Sequence, residues 1–254
     1  MTTNPPTPQS VSPVYMSGPM FSAADLSQQL IIAQTLQNAG MSSYLPQRDG
    51  IEVGPLMAHI GEPDSGVSAQ DLFEVVLFIR QIVCAMDNYQ LISRCNSLVF
   101  NMDGRVPDDG SVAETAAGWA SGQAIVIYKT TPITMLGGTD NPMVSGLSLT
   151  WQTVSDVTQL PQAILYAAQL IATMGGTRFT PGTQCAAVIK LGSLVWDNMP
   201  TIMGIIKSID PTQPNKTVDA FLALKAQWID TLQAAYPLQT APVTATGAID
   251  LTHA

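Results

Sequence analysis

Residues 97–129 read "SLVFNMDGRVPDDGSVAETAAGWASGQAIVIYK". An apolar run (97–102) is followed by a loop holding Asp103, Asp108 and Asp109, then an Ala-rich run of helical character, then a second apolar run (124–129). A fully buried strand reads as a short continuous apolar stretch, and two such strands joined by a helix are parallel. Upstream, "PVYMS" (13–17) and "SSYLP" (42–46) read as strands, and Ser22 to about Asn38 and Ser68 to about Ser93 read as helices, the second bent near Asp87. Leu26, Leu30, Ile31, Ala33 and Leu36 form the expected apolar face of the first helix. This alternation predicts an α/β fold with a doubly wound parallel sheet. Right-handed crossovers gather the loops that follow the strands along one edge, where ligands bind. Residues 15–21, 46–50 and 103–114 are expected to converge there.

The pattern changes after residue 150. "LPQAILYAAQLIATMGG", "PGTQCAAVIKLGSLVWDNMPTIMGIIKSI" and "NKTVDAFLALKAQWIDTLQAAY" all read as helices, the middle one broken at Pro200. The expected organisation is a disordered tail over 1–12, an α/β domain over 13–150, an all-helical extension over 151–238 and a flexible tail over 239–254.

Composition narrows the function. The chain of 254 residues is 46% hydrophobic and only 11% charged, which favours a well-buried globular protein over disorder. Its net charge is −9. Thirteen acids against five bases put −8 of this in residues 1–150, and six against five leave −1 for the rest. An acidic face repels phosphate backbones, so no nucleic-acid partner is expected. The apolar segments are too short to span a membrane. Cys84, Cys95 and Cys185 form an odd, unpatterned set, and the two histidines, His59 and His253, stand apart. Neither a disulfide frame, a zinc site nor a Ser-His-Asp triad is supported, and a reducing, cytoplasmic setting is expected.

Glu114 poses the central question. Ser111-Val-Ala-Glu114 has the form of a capping box, as do Ser22-Ala-Ala-Asp25 and Ser68-Ala-Gln-Asp71. The third box differs in context, because it follows the most apolar strand and an acidic loop. Clustered carboxylates repel one another, and capping alone does not require them. A helix start favours the ionised carboxylate, the form that attacks an electrophilic sugar carbon. Gly118, on the same helix face, permits close approach of a backbone or ligand.

"VYMSGPMF" (14–21), "YLPQRDG" (44–50), "DGRVPDDGSVAETAAGWA" (103–120) and "NPM" (141–143) together resemble the nucleoside 2-deoxyribosyltransferase family. The family opens on a strand followed by Gly-Pro, here Gly18-Pro19, and has a helix start of the form D-x-G-[ST]-x-x-E-x-G-x-A. Asp108, Gly110, Ser111 and Glu114 match that start. Ala116 stands where the family has Gly, and Gly118 where it has Ala. The resemblance covers roughly residues 13–150 and leaves the helical extension unexplained.

The resemblance implies a flavodoxin-like fold and a two-step, retaining exchange of the base on 2′-deoxynucleosides, with free nucleobases as co-substrates and no cofactor or metal. It implies Glu114 as nucleophile, Tyr15 as the group that orients it, and Asp87 as the acid handling the base's proton. It places Asp108 on the sugar 5′-hydroxyl, with Asp109 one residue away as the alternative. Gly18, Gln47 and Asp49 would line the substrate, and Asn141 and Met143 would reach into a neighbouring subunit of a homo-oligomer. Asp103 would line the site or shape a turn with Gly104. Each has a plainer reading. Tyr15 can be a core aromatic, Asp87 a surface aspartate, and Asp108, Asp49 and Asn141 turn formers. Rival functions are a nucleotide N-glycosidase of the same superfamily, a non-catalytic nucleotide-binding module, and an interaction protein whose helical extension does the work.

Overall fold

Strand β1 (Val14–Ser17) lies between two parallel partners, β2 (Ser43–Tyr44) and β3 (Ser97–Asn101). β4 (Ala124–Tyr128) pairs with β3, and β5 (Thr153–Val154) pairs with the end of β4. The order β2-β1-β3-β4-β5 is all-parallel, which is the flavodoxin-like arrangement. These observations come from a computed structural model, which describes residues 13–51, 66–103, 108–132, 135, 139–175, 179–210 and 212–237. The expected tails, both histidines and the turn at Gly104 lie outside the described residues.

Alternate residues of each strand face opposite sides of the sheet. Val14, Met16, Val99 and Val126 face α1 (Ala23–Asn38) and α6 (Leu160–Thr173). Tyr15, Leu98, Phe100, Ile125 and Ile127 form the second face's core. Helix α4 (Asp109–Ala120) joins that core through Val112 and Ala117. Its Gly118 sets the contact distance, with Leu98 Cδ1 3.4 Å from where a Cβ would stand. Helix α3 (Ala69–Tyr89) runs on into a π turn, Gln90–Arg94, whose Leu91 also enters this core. Gln123 Nε2 donates to the Leu91 carbonyl of the π turn. Two short helices, α2 (Pro46–Asp49) and α5 (Pro142–Ser145), follow β2 and β4.

Beyond the sheet, α3 carries a second apolar stripe: Val75, Phe78, Ile79 and Ile82. It is covered by α7 (Thr183–Asp197), α8 (Met199–Lys207), α9 (Pro214–Gln227) and α10 (Ile229–Ala235) through Leu191, Val195, Ile202, Phe221 and Leu232. The expected break at Pro200 is present, with Asn198 between α7 and α8. A second break at Trp228 divides what reads as one helix.

Three expectations change. The boundary at residue 150 cuts through the sheet domain, because β5 and α6 lie beyond it and complete one edge and one face. The buried side of α1 is Gln29, Ile32, Ala33 and Leu36, whereas Leu30 and Ile31 are exposed. A helix with apolar residues all round leaves the choice of face to its neighbours. Finally, α4 begins earlier than the capping-box reading holds. Asp108 is its N-cap and accepts from Ser111 N at 2.9 Å. Glu114 therefore sits in the second turn. Of the three boxes, Ser22–Asp25 is fully reciprocal, and Ser68 accepts from Asp71 N.

The α3–α7 crossing hangs on Gly192, where any Cβ would run into the Ala85 carbonyl and Tyr89 Cβ. Gly192→Ala is expected to force the helices apart and to destabilise the protein by about 2–3 kcal/mol, read by denaturant unfolding.

Candidate active site

Tyr15 and Ser17 are two residues apart in β1 and so face the same side, toward α4. Each donates to one oxygen of Glu114: Tyr15 Oη to Oε1 at 2.8 Å and Ser17 Oγ to Oε2 at 2.7 Å. The carboxylate thus bridges the second turn of α4 and the carboxyl end of β1. That is the side of the β1/β3 switch point, where open α/β sheets bind ligands.

A second carboxylate stands beside the first. Asp87, near the end of α3, accepts from Tyr44 Oη at 3.0 Å. The Tyr15 and Tyr44 rings pack with centroids 5.6 Å apart. Two neighbouring phenols therefore each donate to one acid. Burial first, and then the charges of Glu114 and Asp87, hold both phenols protonated well above the usual tyrosine range.

The two acids differ in environment. Burial, followed by the charge of Glu114, pushes Asp87 up to about 7, against the pull of the Tyr44 hydrogen bond. Burial also raises Glu114 above the ordinary glutamate range; the Ser17 and Tyr15 hydroxyls oppose this rise and the charge of Asp108 adds to it. This corrects the expectation that a helix start keeps Glu114 ionised. Its position in the second turn weakens the dipole's influence, and its ionised form is supported by two hydroxyl donors instead.

The other expected site residues are placed as follows. Asp108 caps α4, with both bonds from Ser111 falling on Oδ2 (2.9 Å from N, 2.5 Å from Oγ). Asp109 is exposed and accepts from Gly110 N. Asp103 is a correction. Five donors take its oxygens: the amides and hydroxyls of Thr130 and Thr131, and Gln28 Nε2. Burial alone would raise its carboxyl, but these donors hold it below the ordinary aspartate range. It fastens the chain after β4 to the end of β3. The buried pair Lys129–Asp140 secures the same loop.

Asp49 accepts from Leu45 N at 2.8 Å and pairs with Arg48 at 2.7 Å, so it closes the α2 turn. Gln47 Nε2 donates to Leu26 O, while its buried Oε1 has no partner among the described residues. Asn141 caps α5 by accepting from Met143 N, and Met143 is 79% exposed on this chain. Gly18 is where β1 leaves the sheet, and a side chain there would collide with Gln29 and Asn101.

Four participants carry no signal in the sequence. Ser17 and Tyr44 read as ordinary strand residues. Gln29 and Asn101 are fully buried, yet both amide atoms of Gln29 and Nδ2 of Asn101 lack partners among the described residues. Buried amides are normally paired, with protein, water or ligand. A groove of about 810 Å³ between β4, β5 and α6, lined by Val126, Thr153, Gln162 and Tyr166 among others, contains no carboxylate. The paired carboxylates Glu114 and Asp87 lie outside this groove. Among the described residues, no three His, Cys, Asp or Glu side chains are grouped to hold a metal ion. None of their helices is long and apolar enough to cross a membrane.

No family model matches the chain, and no curated protein matches it. Among solved structures, a conserved protein from Enterococcus faecalis V583 is similar at 19% identity, over 61% of this chain and 98% of its own, with a TM-score of 0.41.

The raised Asp87 carboxyl has a consequence for stability. Between the ordinary aspartate value and about 7, the unfolded chain releases this proton while the folded chain keeps it. The folded state then binds more protons, so stability falls as pH rises through that window. Asp87→Asn is expected to melt above the wild type at about pH 8 and to converge with it near about pH 4, in a pH series of thermal unfolding.

Proposed function

We propose that the protein transfers the 2-deoxyribosyl group between nucleobases of 2′-deoxynucleosides by double displacement, with hydrolysis as a side reaction. The observation that carries this reading is the pairing of two carboxylates in unlike environments. Glu114 is held by two hydroxyl donors that favour its ionised form, whereas Asp87 keeps its proton to about 7. Acids set apart in this way divide into an attacking group and a proton donor.

In the first step a Glu114 oxygen attacks the anomeric carbon and the C–N bond breaks. Its electron pair leaves with the base, which takes the proton of Asp87. In the second, a nitrogen of the incoming base attacks the same carbon from the opposite face. Glu114 leaves as a carboxylate, and the proton lost by the base returns to Asp87. Two inversions give net retention. Tyr15 and Ser17 hold the carboxylate in place, and their hydroxyls take up its charge again as the ester breaks. Asp108 Oδ1, on the oxygen opposite its capping bonds, suits a sugar hydroxyl and repels a phosphate, which favours a nucleoside over a nucleotide. The amide atoms of Gln29, Gln47 and Asn101 that lack partners among the described residues are donors and acceptors of the kind a base edge carries. Exposed Met143 supports a homo-oligomer in which α5 of one subunit meets the site of another.

Incubation with 2′-deoxyinosine or 2′-deoxyuridine, with and without adenine, tests this directly. New deoxyadenosine is the expected product; free base alone points to the N-glycosidase, and no turnover of either nucleoside overturns both enzymes. Glu114→Ala is expected to lower kcat by about a thousandfold or more. The rate should fall on the alkaline side near 7, as Asp87 loses its proton, and on the acid side above the ordinary glutamate range, as Glu114 gains one.

A further inference from the structure

The helical extension reaches the site through one side chain. Trp196, near the end of α7, packs against both the core of the helical part and the core that contains Tyr15 and Tyr44. Its ring meets Tyr44 edge-on, with centroids 6.2 Å apart and planes at 70°. On the indole, the Arg94 guanidinium lies 4.8 Å from the ring centroid, supplied by the π turn that follows Asp87. Tyr44 in turn donates to Asp87. The α7 backbone is seated one turn earlier, at Gly192, directly on Ala85 and Tyr89, the residues that flank Asp87. The extension therefore reaches the surroundings of Asp87 twice, once at the α3 backbone through Gly192 and once through the edge-on contact of Trp196 with Tyr44.

We propose that Trp196 is a positioning residue that fixes the Tyr44 ring so that its hydroxyl stays on Asp87, and that this is what the helical extension contributes to the site. The role rests on the reading of Asp87 as the proton donor. Tyr44 lies in a two-residue edge strand that pairs with β1, and its buried ring loses the Asp87 bond if it turns about χ1 against its neighbours Tyr15 and Trp196. An edge-on aromatic partner closes off that motion, and a cation over the partner's face holds the partner. The groups bearing on Asp87 are Tyr44, which donates to it, and Glu114, which repels its charge. Tyr15 and Asp49 act on the same cluster from β1 and α2, and Arg94 stands beyond Trp196.

The test follows the Asp87 carboxyl itself, by carbon-13 NMR titration of the full chain. Tyr44→Phe removes the hydroxyl that favours the ionised acid, so the Asp87 midpoint should move up by about one pH unit. Trp196→Leu should move it in the same direction, Trp196→Phe should leave it in place, and Trp196→Leu should add nothing once Tyr44 is Phe. The alkaline limb of the rate profile should follow the same four results. An Asp87 midpoint that Tyr44→Phe moves and Trp196→Leu does not overturns the inference, as does an equal additional shift in the double variant. Because the titration needs no turnover, it separates the two ideas. The expected pattern in a protein inactive on every nucleoside would retain the positioning role and refute the proposed function.

Discussion

The carboxylate of Glu114 is the point on which the site turns. It is drawn out of water by burial and kept there by two hydroxyls from one strand. This arrangement costs stability and is stable only because the rest is stiff. β1 is clamped between β2 and β3, and α4 is pressed onto β3 at a glycine. Both partners of the carboxylate are thus delivered by one interior strand of the sheet, β1, and neither depends on a loop. The second acid is likewise fixed to a helix, so the unlike environments of the two are set by regular structure.

Around that pair the molecule is built from three cores. Two lie on the faces of the sheet, and the third lies between α3 and the C-terminal helices. Helix α3 is shared: its π turn enters the sheet core while its earlier turns are buried by the extension. A π turn displaces the residues that follow it relative to an α-helix, and here it lets one helix serve two cores whose directions do not match.

Much of this arrangement is legible in the sequence, for identifiable physical reasons. Buried parallel strands leave continuous apolar runs, so β1, β3 and β4 stood out. β5 did not, since Thr153-Val154 sits in the mixed stretch TWQTVSDV with no apolar run around it. Helix α1 is placed by its pattern but turned toward the wrong face, because Leu30, Ile31 and Ile32 offer competing faces and the buried one is that of Ile32. At the site, Glu114 is marked by its acidic loop, and Tyr15 and Asp87 by a family resemblance. Ser17 and Tyr44 read as ordinary strand residues. Their bonds to the acids span 97 and 43 residues of sequence and exist only once the strand register is known. Asp103 misled in the opposite sense. A buried aspartate at the end of a central strand reads as a ligand group, yet here two threonines and a glutamine occupy it.

The apolar stripe of α3 also bears on how such a chain is inherited. Val75, Phe78, Ile79 and Ile82 are wholly covered, and what covers them is encoded about a hundred residues later. A nascent chain that has finished its sheet still displays this stripe, and a gene cut after α6 would display it permanently, inviting aggregation or capture by chaperones. The C-terminal helices therefore cannot be gained or lost as a module without α3 changing its surface at the same time. A shorter homologue should carry polar residues at these four positions, or bring a second subunit to bury them.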